Sequence, residues 1–279
     1  MRTVRAQDVT QAVCEMCQEA NLTLTQDMQQ ALRDAAAKEE SALGKRVLGQ
    51  LEENLRIAEE ECIPICQDTG MAVLFVTLGQ EVYVDGSLED ALQEGVRRGY
   101  VEGYLRKSVV GDPLLRVNTK DNTPAVIYYE VVPGDVLEIS FEPKGAGSEN
   151  MSRVFMLKPA QGAEGVKDAI VQAAIDAGPN ACPPMVLGVG IGGTFEKSAL
   201  LAKKALLREA GSHSPLPHIA AMEEEVLERI NRSGIGPGGL GGTVTALAVN
   251  IETYATHIAC LPVAVNICCH ATRHRTRRL

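Results

Sequence analysis

Tryptophan is absent from this 279-residue chain, and aromatic residues make up only 4% of it. Such a chain has no series of rings on which successive bases could stack, which excludes a platform for single-stranded nucleic acid. Positive charge is also short, with 27 Lys and Arg against 36 Asp and Glu and a formal net charge of −9. A surface of that sign repels a phosphate backbone. The one basic stretch is His270–Leu279, with four arginines, and the pattern predicts a solvated tail or a partner contact there. Long apolar runs are missing too. The longest, Met71–Leu78, falls far short of the ~20 residues that span a bilayer. Met1–Arg5 leads into polar sequence without an apolar signal core, so the expectation is a cytoplasmic protein.

Cysteine is well represented. Eight cysteines in 279 residues do not make a small disulfide scaffold, and reduced thiols, some of them metal ligands, are the better account. Hydrophobic residues at 45% and charged residues at 23% describe an ordinary globular protein with one large core or two modest ones.

The N-terminal part, about residues 1–62, reads as helical. Val9, Val13, Cys17 and Ala20 recur at helical spacing, and Thr23 with Gln26 forms a capping-box pattern for the next helix. A third helix is predicted over Ala42–Glu60, with Leu43, Val47, Leu51 and Leu55 on one face. Cys14 and Cys17 have redox-motif spacing but lie inside a helix with no strand before it, which points to packing. Beyond residue 62, Met71–Leu78 and Glu81–Val84 read as one β-hairpin, and Pro124–Val132 with Asp135–Glu142 as a second across Pro133-Gly134. Helices are predicted over Ser87–Leu105 and Ala163–Ala177, and Lys144–Asn150 reads as a tight polar loop. The fold class is α+β, taken as a single domain over 1–279.

Gly188-Val189-Gly190-Ile191-Gly192-Gly193 satisfies the dinucleotide pattern G-x-G-x-x-G, follows a β-like run and precedes a helix from Phe195 to Arg208. The second strand ending in an acid about 20 residues on, which that fold requires, does not follow. A second match at Gly234–Gly239 contains Pro237 and has no strand before it. The glycines therefore need another reason, either close backbone approach or N–H groups presented to an anion at a helix start.

The chemistry concentrates on turns. Cys66-Gln67-Asp68-Thr69-Gly70 places a thiol, an amide and a carboxylate together after Pro64. Ala181-Cys182-Pro183-Pro184 and Cys268-Cys269-His270 are further thiol-bearing turns, far apart along the chain. Zinc sites usually announce themselves by paired C-x-x-C or C-x-x-H units, which are lacking here. Scattered thiols beside acid–base groups fit an iron–sulfur cluster with one open iron better.

Five segments, Cys66–Gly70, Lys144–Asn150, Ala181–Pro184, Ile191–Thr194, and His257–Ala259 with Leu261–Val263, resemble the class I fumarase and tartrate dehydratase family. They occur in the family's order and span nearly the whole chain, with the greatest similarity to the separate α subunits. The resemblance implies a [4Fe–4S] cluster held by three cysteines. Cys66 and Cys182 match two ligand positions, and the spacing from Pro262 in single-chain relatives reaches Cys269, leaving Cys268 and Cys260 as structural thiols. It also implies roles for other residues. Asp68 and His257 would handle protons, while Gln67, Arg106 and the Gly147 N–H would bind substrate.

The implied reaction is reversible hydration of fumarate to L-malate, with an oxygen-sensitive site completed by a separate β subunit in an αβ hetero-oligomer. An alternative in the same chemistry is the α subunit of L(+)-tartrate dehydratase. An alternative from another class is a non-catalytic iron–sulfur scaffold or regulatory subunit, against which the set Gln67, Asp68, Arg106 and His257 argues.

Overall fold

The computed structural model describes residues 2–279, and the chain folds as α+β in two compact units. Of the described residues, the first comprises 2–25, 55–146 and 273–279, and the second 26–54 and 147–272.

In the first unit, β1 (Arg2–Arg5) pairs in parallel with β3 (Val82–Asp85). A four-stranded sheet runs in the order β10 (Arg275–Arg278), β5 (Leu137–Lys144), β2 (Met71–Gly79), β4 (Val126–Val132). Helix α1 (Ala6–Leu22) packs on α4 (Leu88–Glu102) and on this sheet. The N-terminus of α4 is closed by Ser87, whose hydroxyl accepts the Asp90 N–H, satisfying one of the donors a helix start leaves open. Gly95 and Gly99 let α4 approach α1 closely, since a Cβ at either would press on Val13 or Cys17. Cys14 and Cys17 are thus buried packing residues; burial pushes the Cys17 thiol well up, away from the reactive thiolate.

Both predicted hairpins are replaced by a different pairing. β3 joins β1, and β2 inserts between β4 and β5, parallel to the former and antiparallel to the latter. The Pro133-Gly134 turn does reverse the chain, but it closes over the end of β2. The Gly79 N–H donates to Val136 O, Gln80 N–H to Val132 O and Glu81 N–H to Gly134 O. A Cβ at Gly79 would collide with the Gly134 carbonyl, so glycine is what lets β2 slip beneath the turn.

Two further expectations change. Thr23 does not begin a helix: its N–H and hydroxyl both donate to Glu19 O, so it ends α1, and α2 starts at Gln26 (Gln26–Lys38). The basic tail does not run free but forms β10 beside β5, with Arg275 and Arg277 half-buried and Arg278 exposed. Arg275 donates to Glu19 O and Thr23 O at the C-terminus of α1, where the helix dipole favours a cation, and Arg277 pairs with Glu19.

In the second unit the sheet order is β6 (Arg153–Leu157), β9 (Leu261–Cys268), β7 (Met185–Gly192), β8 (Ala246–Tyr254). Strands β7 and β8 are parallel, connected through α7 (Phe195–Ala205) and α8 (Pro217–Asn231). Helix α7 is shorter than the predicted Phe195–Arg208. On one face of the sheet, α6 (Gly162–Ala177) and α8 enclose a core of Ile170, Leu187, Val189, Val226, Ile230, Ile251 and Ile267, while α7 packs on the other face. Helix α3 spans Ala42–Glu60, as its periodicity predicts. Ahead of it, the buried Glu39 carboxylate accepts N–H bonds from Ser41, Thr243 and Val244. Lys144–Asn150, expected as a loop, includes a single helical turn, α5 (Ala146–Glu149).

No helix among the described residues is long and apolar enough to cross a membrane.

Candidate functional site

The first unit carries Cys66, Gln67, Asp68 and Arg106. The Cys66–Gly70 run precedes β2 and is held by its carbonyls. Arg273 Nη2 donates to Asp68 O at 2.6 Å, the Tyr100 hydroxyl to Thr69 O at 2.6 Å and Asn122 Nδ2 to Gly70 O at 3.0 Å. Tyr100 is fully buried, which drives its phenol well up and keeps it a neutral donor. Gly70 has φ 70°, and a Cβ there would strike the Lys144 backbone.

The Asp68 carboxylate accepts the Gly70 N–H at 3.1 Å through Oδ1 and the Ala146 N–H at 2.8 Å through Oδ2. It therefore fixes the start of α5 as well as being available at a half-buried position. Cys66 is half-buried with its Sγ 3.9 Å from Gln67 Oε1, and Gln67 is exposed. Arg106 leaves the end of the α4 segment with an exposed side chain, while its carbonyl accepts from the Thr69 hydroxyl at 3.1 Å.

The second unit carries Gly147, Cys182, His257 and Cys269. Gly147 is exposed in α5, and a Cβ there would lie 3.8 Å from Asn180 O, leaving its backbone open to approach. Lys203 pairs with Glu149, whose other oxygen accepts from Asn266 Nδ2 at 2.8 Å, and this ties α5 to α7 and β9.

Cys182 is exposed and left-handed, with φ 51°, a strained conformation for a side chain with a Cβ. Its carbonyl accepts both the His270 N–H at 3.3 Å and the His270 ring Nδ1–H at 3.1 Å. The turns bearing Cys182 and Cys269 are thereby neighbours, since His270 follows Cys269 directly. Cys268 is buried at the end of β9, and Cys269 is half-buried.

His257 and Cys260 line a cleft of about 590 Å³ with Gly193, Thr194, Lys197 and Tyr254. The His257 Nδ1 accepts the Ala259 N–H at 3.1 Å, so the neutral ring carries its proton on Nε2. Among the described residues, no three His, Cys, Asp or Glu side chains are gathered as a metal site. Soft thiolates are the donors that an iron–sulfur cluster takes, and the half-buried or exposed thiols of Cys66, Cys182 and Cys269 suit it in kind.

The glycine patterns have packing reasons. A Cβ at Gly188 or Gly190 would collide with the Ala202 or Ser198 carbonyl, so these glycines seat α7 on β7. In the second pattern the Gly238 N–H donates to Pro183 O at 2.8 Å, and Gly239 lies close against Pro179. That loop supports the turn bearing Cys182. Sequence reasoning missed this support, along with His270 and Arg273. The Cys-Cys-His run carried a signal for His270, whereas Arg273 was hidden among four tail arginines.

Fold and site define an α+β protein whose polar chemistry lies on rigidly held turns, with glycine patterns that serve packing. The fumarate hydratase (fumerase) family model matches residues 10–278. The chain is 42% identical to a putative L(+)-tartrate dehydratase subunit alpha of Methanocaldococcus jannaschii, covering 97% of each chain. It is 34% identical to the L(+)-tartrate dehydratase subunit alpha of Escherichia coli UTI89, over 97% of this chain and 90% of that one. It is 33% identical to the protein so named in E. coli K12, over 96% and 89%. The chain belongs to the fumarate hydratase family of hydro-lyases, and within it to the separate α subunits.

Proposed function

We propose that this chain is the cytoplasmic α subunit of a [4Fe–4S]-dependent hydro-lyase that interconverts fumarate and L-malate with a separate β subunit. The reading is supported most by family similarity over nearly the full length together with thiols, amide and carboxylate on held turns. Cys66, Cys182 and Cys269 would hold the cluster. When bound, it supplies an open Lewis-acidic iron that makes hydroxide a better leaving group.

The chain's own residues do the rest. The Arg106 guanidinium offers a planar fork to one carboxylate, and the exposed Gly147 N–H meets another. Gln67 orients the substrate from beside Cys66. Asp68, anchored by two backbone N–H groups, moves the proton at the carbon next to the C–O bond, and His257 donates from Nε2. Fixing both carboxylates restricts the substrate to reactive orientations.

A second reading, dehydration of L(+)-tartrate, is favoured by the names of the relatives. The test is anaerobic co-purification with the product of the neighbouring gene, a visible spectrum, and parallel assays with fumarate, malate and tartrate. Brown protein with activity on one of these acids is expected. A colourless protein binding stoichiometric zinc would refute the cluster.

A further inference from the structure

Arg273 is 4% exposed, and its Nε has no hydrogen-bond partner among the described residues. A buried guanidinium is costly unless its charge and donors are met. Here the hydrogen bond it makes, 2.6 Å from Nη2, ends on the Asp68 carbonyl.

That carbonyl is the first of three in succession, and each is gripped by a different element. Arg273 from the strand-leading C-terminal segment holds residue 68, Tyr100 from α4 holds residue 69, and Asn122 holds residue 70. Tyr100 and Asn122 are neutral. Arg273 alone brings a charge, and charge-assisted hydrogen bonds are shorter and stronger than neutral ones. Its grip also lies nearest the functional end of the loop, on the residue whose side chain we assign to proton transfer.

We propose that Arg273 is a positioning residue of the hydro-lyase site. By fixing the Asp68 carbonyl, it sets the direction in which the Gln67 amide and the Asp68 carboxylate leave the backbone. The proposal rests on the reading of the function given above. It differs from it in assigning work to an arginine that touches neither substrate nor thiol.

Two measurements test it, on wild type, Arg273→Lys, Arg273→Ala and the exposed control Arg278→Ala. The first is the rate of Cys66 alkylation by iodoacetamide in the chain before iron loading, followed by peptide mass. Release of a charge-assisted tether opens the loop locally, so the rate rises about tenfold in both Arg273 variants and not in the control. The second is steady-state kinetics of the iron-loaded complex with its β partner, on whichever hydroxy acid the wild type uses. A misplacement of about 1 Å lowers kcat roughly 30-fold, with KM within about threefold and wild-type iron content.

Unchanged alkylation in both Arg273 variants overturns the proposal, as does a raised KM at unchanged kcat, which would make Arg273 a substrate contact. If Arg273→Ala does not fold, Arg273→Lys decides, because it keeps the charge and the stem but loses the planar fork. A wild type that acts on no hydroxy acid removes the proposed function, while the alkylation rates still decide the role of Arg273.

Discussion

At the scale of single residues, what distinguishes the cysteines of this chain is how the backbone presents them. Cys182 occupies a left-handed turn whose carbonyl is pinned by His270, while Cys268 is buried at the end of a strand and Cys269 follows it into a more open position. Replacing Cys66, Cys182 or Cys269 by Ser should abolish cluster loading, and Cys268→Ser or Cys260→Ser should leave iron and sulfide content unchanged. Iron analysis and the visible spectrum check this. Loss of iron in Cys268→Ser with retention in Cys269→Ser would reverse the assignment.

Glu39 shows the same dependence on setting. Burial works against its charge, yet the N–H donors of Thr243, Ser41 and Val244 outweigh burial and hold the carboxyl below its ordinary 4.5. A carboxyl lowered in the folded state stabilises fully above 4.5, and that contribution fades as pH falls through the folded value. Acid unfolding of Glu39→Gln should lose this part of the slope. Glu39→Ala, which orphans buried N–H groups, should cost about 3 kcal/mol in urea denaturation at neutral pH.

At the scale of elements, glycine decides the architecture. Gly188 and Gly190 stand where α7 crosses β7, and a methyl group at Gly190 would press on the Ser198 carbonyl. Gly190→Ala should destabilise the protein by about 1–3 kcal/mol through overpacking, read from the denaturation midpoint. A change within ~0.5 kcal/mol would show that the helix can withdraw at little cost. Helix α3 was legible because Leu43, Val47, Leu51 and Leu55 recur at helical spacing along it. The hairpins were not, because strand partners are chosen by long-range packing. Pro133-Gly134 encodes a reversal, but nothing local says that β2 will lie beneath it. The tail arginines misled for a related reason. Charge alone reads as solvent-facing, and only the tertiary fold supplies the carbonyls at the end of α1 that Arg275 satisfies.

At the scale of the whole molecule, the residues assigned to the reaction are divided between the two units: Cys66, Gln67, Asp68 and Arg106 in the first, Gly147, Cys182, His257 and Cys269 in the second. The motifs for Cys66, Gln67, Asp68, Gly147 and Cys182 were visible in the sequence, because they sit on turns marked by Gly or Pro, whereas Arg106 and Cys269 carry no such mark and drew their roles from the family resemblance. Most of the supports were not visible, because Tyr100, Asn122 and Arg273 come from segments with no motif of their own. The set has one arginine assigned to a substrate that carries two carboxylates. A single guanidinium and one N–H do not balance the charge of two carboxylates, and bidentate cationic contacts are what such groups favour. A β subunit of comparable or smaller size bringing further cations would meet that need. The chain purified alone under anaerobic conditions should therefore load a cluster yet turn over its acid at no more than about a hundredth of the rate of the αβ complex. Titrating β into α and following activity should give a saturating curve at a fixed stoichiometry, and brief exposure to air should abolish that activity together with the cluster spectrum. Full turnover by the lone chain would mean that its own residues already meet both carboxylates, and the need for β would fall.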